Sequence, residues 1–177
     1  MKRIIALLIS AVIIAATASG CMGMGAPSVE QYPTDASTET KDYNNTYEDL
    51  CKYLSAKGYI NALESNKGKS YAEMNYKLIG AAAGNKFNCV MSGANNVTIE
   101  LYDFTKPASP DEVYNSVKKD GTFSVYGLEE SRAYLSDNGN YMMIYNDSSI
   151  DWKNPDEKSN EYKRFEEIYK EFKGFKK

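Results

Sequence analysis

Histidine is absent from all 177 residues. That one absence removes Ser-His-Asp and Cys-His nucleophile systems, imidazole metal sites and the commonest general base. Cysteine is scarce, with Cys21, Cys51 and Cys89 the only three. No combination of these thiols with imidazole can supply the four ligands of a structural zinc site. Tryptophan occurs once, at Trp152. A concentrated basic face is missing too, since 21 Lys and Arg stand against 24 Asp and Glu, which argues against a nucleic-acid partner.

Long apolar runs are absent except at the start. Lys2 and Arg3 precede an apolar stretch from Ile4 to Ala18, followed by small residues and Cys21. This is the order of charge, apolar run and small residues in an export signal. A bilayer-spanning helix needs roughly 20 predominantly apolar residues, so the run is short for a permanent span. "Ala18-Ser19-Gly20-Cys21" resembles the bacterial lipobox. The resemblance implies that residues 1–20 are removed and that Cys21 becomes the lipid-attached first residue. Two acyl chains would then hold the protein at the extracytoplasmic face of the cell membrane. With Lys2 and Arg3 gone, the balance is 19 basic against 24 acidic side chains, a formal charge of −5.

Residues 21–45 contain Gly, Pro, Ser and Thr without apolar periodicity, and read as a lipidated cysteine followed by a disordered tether. A single domain is expected over residues 46–177. "TYED" at 46–49 is a helix start, with Tyr47, Leu50, Cys51 and Leu54 on one face and Gly58 as the stop. "SYAE" at 70–73 is a capping box that opens a second helix, with Met74, Leu78, Ala81 and Ala82 as its stripe and Gly84 as its end. The pattern then changes to period two. Phe87, Cys89 and Met91 alternate with polar residues, as do Val97, Ile99 and Leu101, with Asp103 next in the series. A Gly93-Ala94-Asn95-Asn96 turn between them makes a hairpin.

"SPDE" at 109–112 starts a third helix ending at Gly121. Three short strand patterns follow, "TFSVYG", "SRAYLSD" and "NYMMIYN", the last two joined at Asn138-Gly139. Asn154-Pro155-Asp156-Glu157 begins the last helix, whose stripe is Tyr162, Phe165, Ile168, Tyr169 and Phe172. Strands in hairpins, not alternating singly with helices, predict an α+β domain: an antiparallel sheet of about five strands packed by about four helices. This layout, over roughly residues 46–175, loosely resembles small uncharacterised lipoproteins of Gram-positive bacteria, a resemblance that implies no activity.

Candidate sites are few. "GAAAGNK" at 80–86 is one residue short of a phosphate loop, has Phe87 where Ser or Thr is needed, and ends a helix instead of beginning one. "DSSIDWKNPDE" at 147–157 offers oxygen ligands without EF-hand spacing. Glu129-Glu130 are adjacent carboxylates in a polar turn, unlike a pair that flanks a substrate. Tyr141, Tyr145 and Trp152 form a candidate aromatic platform for a sugar or peptide, or else pack as core. Cys51 and Cys89 either form a disulfide, worth about 3–4 kcal/mol in the chain-entropy model, or pack as small hydrophobes. The basic, aromatic end "EEIYKEFKGFKK" suits a helix dipole better than a lipid surface.

No catalytic residue, metal or cofactor is expected. The functional expectation is a membrane-anchored binding or interaction module for a peptide, glycan or envelope protein. Its alternative is an enzyme that acts on envelope material through carboxylates.

Overall fold

The computed structural model describes residues 29–30, 37–63, 76–91, 94–106, 112–125 and 130–177. The expected signal, Cys21, the Ser70 capping box, Pro110 and Glu129 lie outside these residues. The fold is α+β. Four antiparallel strands form its centre: β2 (Ala83–Met91), β3 (Ala94–Asp103), β7 (Tyr141–Asp147) and β6 (Tyr134–Leu135), in the spatial order β2-β3-β7-β6. The two-residue β1 (Val29–Glu30) adds in parallel to the outer edge of β2. β4 (Thr122–Phe123) and β5 (Ser131–Arg132) do not join this sheet, as one five-stranded antiparallel sheet would require. They pair with each other as a separate ribbon.

Period-two alternation in the three long strands divides the apolar residues between two faces. Phe87, Ile99, Leu101, Tyr141, Met143 and Tyr145 all point to one face and are buried. Two helices cover them: α1 (Tyr47–Ala56) and α3 (Asn160–Lys173). Leu50 and Leu54 of α1, and Ile168 and Phe172 of α3, are fully buried there. Each such side chain contributes about 1.5–3 kcal/mol relative to exposure. The opposite face carries a smaller core of Tyr102 and Met142, closed by Ile79, Val117 of α2 (Glu112–Asp120) and Phe123.

The local signals explain most element ends. Thr46 caps α1 by accepting the Asp49 amide, 3.1 Å away, and Gly58 follows at φ 81°. Gly139 turns the β6–β7 hairpin at φ 72°. The described part of the second helix ends earlier than expected, at Gly80 (φ 77°), where the Ala81 amide bonds the Tyr76 carbonyl at 2.9 Å. Gly84 is therefore a strand residue. It is glycine because a Cβ would lie 2.4 Å from the Tyr102 ring and 2.7 Å from Tyr76 Cβ. Leu78, assigned to the apolar stripe, is exposed, and Ile79 takes the buried position. β3 begins at Ala94, so Ala94–Asn96 extend the strand and do not form the expected turn.

The last helix starts at Ser159, not near Pro155. Asp156 instead holds a turn, accepting the Lys158 amide at 3.0 Å, and Ser159 Oγ accepts the Tyr162 amide at 3.1 Å. The helix docks as its stripe predicts, and Phe175, placed by sequence in the basic tail, is fully buried against Tyr53 and Tyr141. One buried charge pair pins it. Asp147, inaccessible to solvent, accepts from Arg164 at 2.7 Å and from the Ser149 amide at 2.9 Å. The folded part also begins ahead of residue 46. Tyr43 packs edge-on against Tyr53 with centroids 5.5 Å apart, and Asn45 Oδ1 accepts the Tyr141 hydroxyl at 3.1 Å. Among the described residues no helix is long and apolar enough to cross a membrane.

Candidate functional site: a cleft where two strands separate

β6 pairs with β7 only at Tyr134–Met143 and Leu135–Met142. One residue further back, at Ala133, the chain leaves β7. The Ala133 amide bonds the Gly121 carbonyl at 3.0 Å, and β5 pairs with β4. β7 meanwhile continues straight to Asp147, paired on its other side with β3 along its whole length. The divergence opens a cleft of ≈ 530 Å³, with Glu130, Ser131 and Arg132 on one wall. Ile144, Tyr145 and Asn146 form the other wall, and Trp152 and Lys153 also line it.

The cleft extends over the polar rows of the sheet's second face, beyond the small core. Register places Lys86, Glu100 and Ile144 side by side, and Thr98 beside Asn146. Lys86 and Glu100 form an ion pair at 2.9 Å, and the other Glu100 oxygen accepts the Tyr102 hydroxyl at 2.5 Å. Glu130 accepts the Thr122 hydroxyl at 2.5 Å and is exposed. Arg132 is exposed and rests over the Trp152 ring, 5.6 Å from its centroid. Phe165 meets Trp152 at 5.2 Å and Tyr145 meets it at 6.1 Å, both edge-on.

Of the expected platform, Trp152 and Tyr145 come together here and Tyr141 does not. Trp152 is half-buried, but Tyr145 is 5% exposed, with its hydroxyl 3.4 Å from Asp147. Burial pushes its phenol well above the ordinary range. Tyr141 is fully buried four residues away, at the Phe175 end of the main core, and burial raises its phenol to about 12. It presents no face to a ligand, because alternate β7 residues are the inner face of a covered sheet.

The cysteines are separate buried thiols and no disulfide joins them. Cys89 Sγ donates to the Tyr59 carbonyl at 3.3 Å, and burial raises this thiol to about 12, which makes it a poor nucleophile. Three of the four acids at 147–157 serve local structure: Asp147 holds Arg164, and Asp151 and Asp156 accept the Lys153 and Lys158 amides. Among the described residues no three acidic, Cys or His side chains converge as a metal site would need. "GAAAGNK" runs from a helix end into β2, so its amides enter a turn and a sheet ladder instead of a helix N-terminus.

Sequence reasoning did not join Lys86, Thr98, Glu100 and Arg132 to the aromatic platform, and weighed Lys86 only as the last residue of "GAAAGNK". Three of these are the polar partners in the period-two strands, so their positions were visible while their convergence depended on register. No known protein family matches this chain, and neither a curated protein nor a solved structure does.

Proposed function

We propose that the chain is a lipoprotein anchored through Cys21 to the extracytoplasmic face of the cell membrane. Its domain is a non-catalytic binding module that works through the cleft between β5 and β7. The supporting observation is the cleft's make-up: a half-buried Trp152 under Arg132, surrounded by side chains already engaged with one another. Such a surface suits recognition by apolar contact with a few fixed polar groups.

One observation favours the second reading, hydrolysis by a carboxylate pair: Glu100 and Glu130 line the same cleft. Against it, both Glu100 oxygens are committed, to Lys86 and to Tyr102. Glu130 is open to solvent, whereas a general acid is usually tuned by burial.

The anchor is tested by fractionation. The full chain is expected in the membrane fraction carrying metabolically incorporated palmitate, and Cys21→Ala should release it or leave an unprocessed precursor. Membrane retention of Cys21→Ala at the mature size contradicts the anchor. The binding role is tested by probing peptide and glycan arrays with the full chain. Bond cleavage in an arrayed glycan that is lost in Glu130→Gln would favour the enzyme.

A further inference from the structure

We infer that the cleft takes an extended, acidic peptide segment laid as an added strand along β7. This deepens the binding-module reading and rests on it. The first argument is the sheet edge. β7 is seven residues long, and on the side away from β3 only Met142 and Met143 have strand partners among the described residues. Residues 144–146 keep the backbone geometry of a sheet and, among the described residues, pair with no strand on that side, although β5 passes close by. An extended segment satisfies such an edge by main-chain hydrogen bonds, the usual way in which peptides are captured by sheets. β5 leaves this edge unpaired because its own ladder runs to β4.

The second argument is the state of Trp152. A sugar ring stacks on an open aromatic face, yet Arg132 already covers this ring, and Phe165 and Tyr145 meet it edge-on. The indole is thereby a fixed wall that holds the guanidinium in place, and a peptide side chain can pair with Arg132 without displacing it. Charge complementarity is the third argument. Lys86 is matched by Glu100, whereas Arg132 and Lys153 are exposed and make no ion pair among the described residues. With Glu130 as the remaining acid, the lining carries a net positive charge on a chain whose formal charge is −3. Half-buried Ile144, next to Glu100 in the register, offers an apolar neighbour for alternate residues of the added strand.

The test uses the full chain in detergent micelles and three probe sets. These are decapeptides alternating Val with Glu, the same peptides with Lys for Glu, and neutral oligosaccharides. The Val-Glu peptides are expected to bind at least tenfold more tightly than the Val-Lys peptides. N-methylation of alternate backbone amides, which leaves every side chain in place, should weaken binding at least tenfold. Arg132→Glu should reverse the preference towards the Val-Lys set. Peptide binding indifferent to N-methylation overturns strand addition. Oligosaccharide binding without peptide binding overturns the peptide assignment and leaves the binding module standing. No binding by any probe set overturns both.

Discussion

The two faces of the sheet are treated differently by the same three strands. On one face Phe87, Ile99, Leu101, Tyr141, Met143 and Tyr145 are buried beneath α1 and α3. On the other, burial stops after the row of Gly84, Tyr102 and Met142, and the next rows are Lys86-Glu100-Ile144 and Thr98-Asn146. The first face holds the fold together. The second is closed at one end and left polar at the other, and the cleft runs from there to Tyr145 and Trp152 at the rim of the first. On the proposed reading, stability rests on the first face and recognition on the cleft, and substitutions should divide along the same line.

Phe165→Ala should have the largest effect. Phe165 touches Tyr134, Tyr145, Trp152, Tyr162 and Tyr169, and large-to-small changes of this kind cost about 3–5 kcal/mol. Urea unfolding measures it, and an unchanged midpoint would mean that α3 does not close the face. Asp147→Ala should be comparable, since removing one partner of a buried pair leaves Arg164 uncompensated at about 3–5 kcal/mol. Gly84→Ala, on the second face, should cost less, about 1–3 kcal/mol as an overpacking change against Tyr102. A loss equal to that of Phe165→Ala would contradict the unequal roles of the faces.

Alkaline pH should weaken the first face selectively. Burial raises Cys89 and Tyr141 to about 12, above ordinary values near 9 and 10. Tyr53 and Tyr59 are also pushed up, by burial first and then by donating to Glu171 and Glu167. Groups raised in the folded state favour the protonated form there, so their contribution is complete below pH 9 and is lost as pH rises towards 12. Melting temperature should be level from pH 7 to 9 as far as these groups act, and fall steeply above 10. A level response through pH 11 would show that these phenols and the thiol ionise as readily folded as unfolded.

Much of the first face could be read from the chain. The capped start of α1, the stripe of α3, the alternation of Phe87, Ile99 and Tyr145, and the Asn138-Gly139 turn are all local patterns. Three kinds of feature were not local. Gly84 looks like a helix stop until Tyr102 is seen packing where its Cβ would be. Asn154-Pro155 looks like a helix start, but Ser159 competes with it and wins by capping Tyr162. Phe175 follows a glycine in a basic tail, and only the return of the chain over Tyr53 and Tyr141 buries it. The cleft was legible in part. Trp152 and Tyr145 stood out by type, whereas Arg132 joined them only because β5 turns away from β7 at Ala133.

Arg132→Ala should have the smallest effect on stability, within about 0.5 kcal/mol for an exposed side chain. It is also the most direct measurement on the separation of the two faces. A Val-Glu decapeptide is titrated calorimetrically into the full chain and into Arg132→Ala, and both are melted. The expected result is an unchanged melting temperature with at least tenfold weaker binding. Unchanged binding, or a loss of binding accompanied by a large drop in melting temperature, would contradict a cleft that recognises without stabilising.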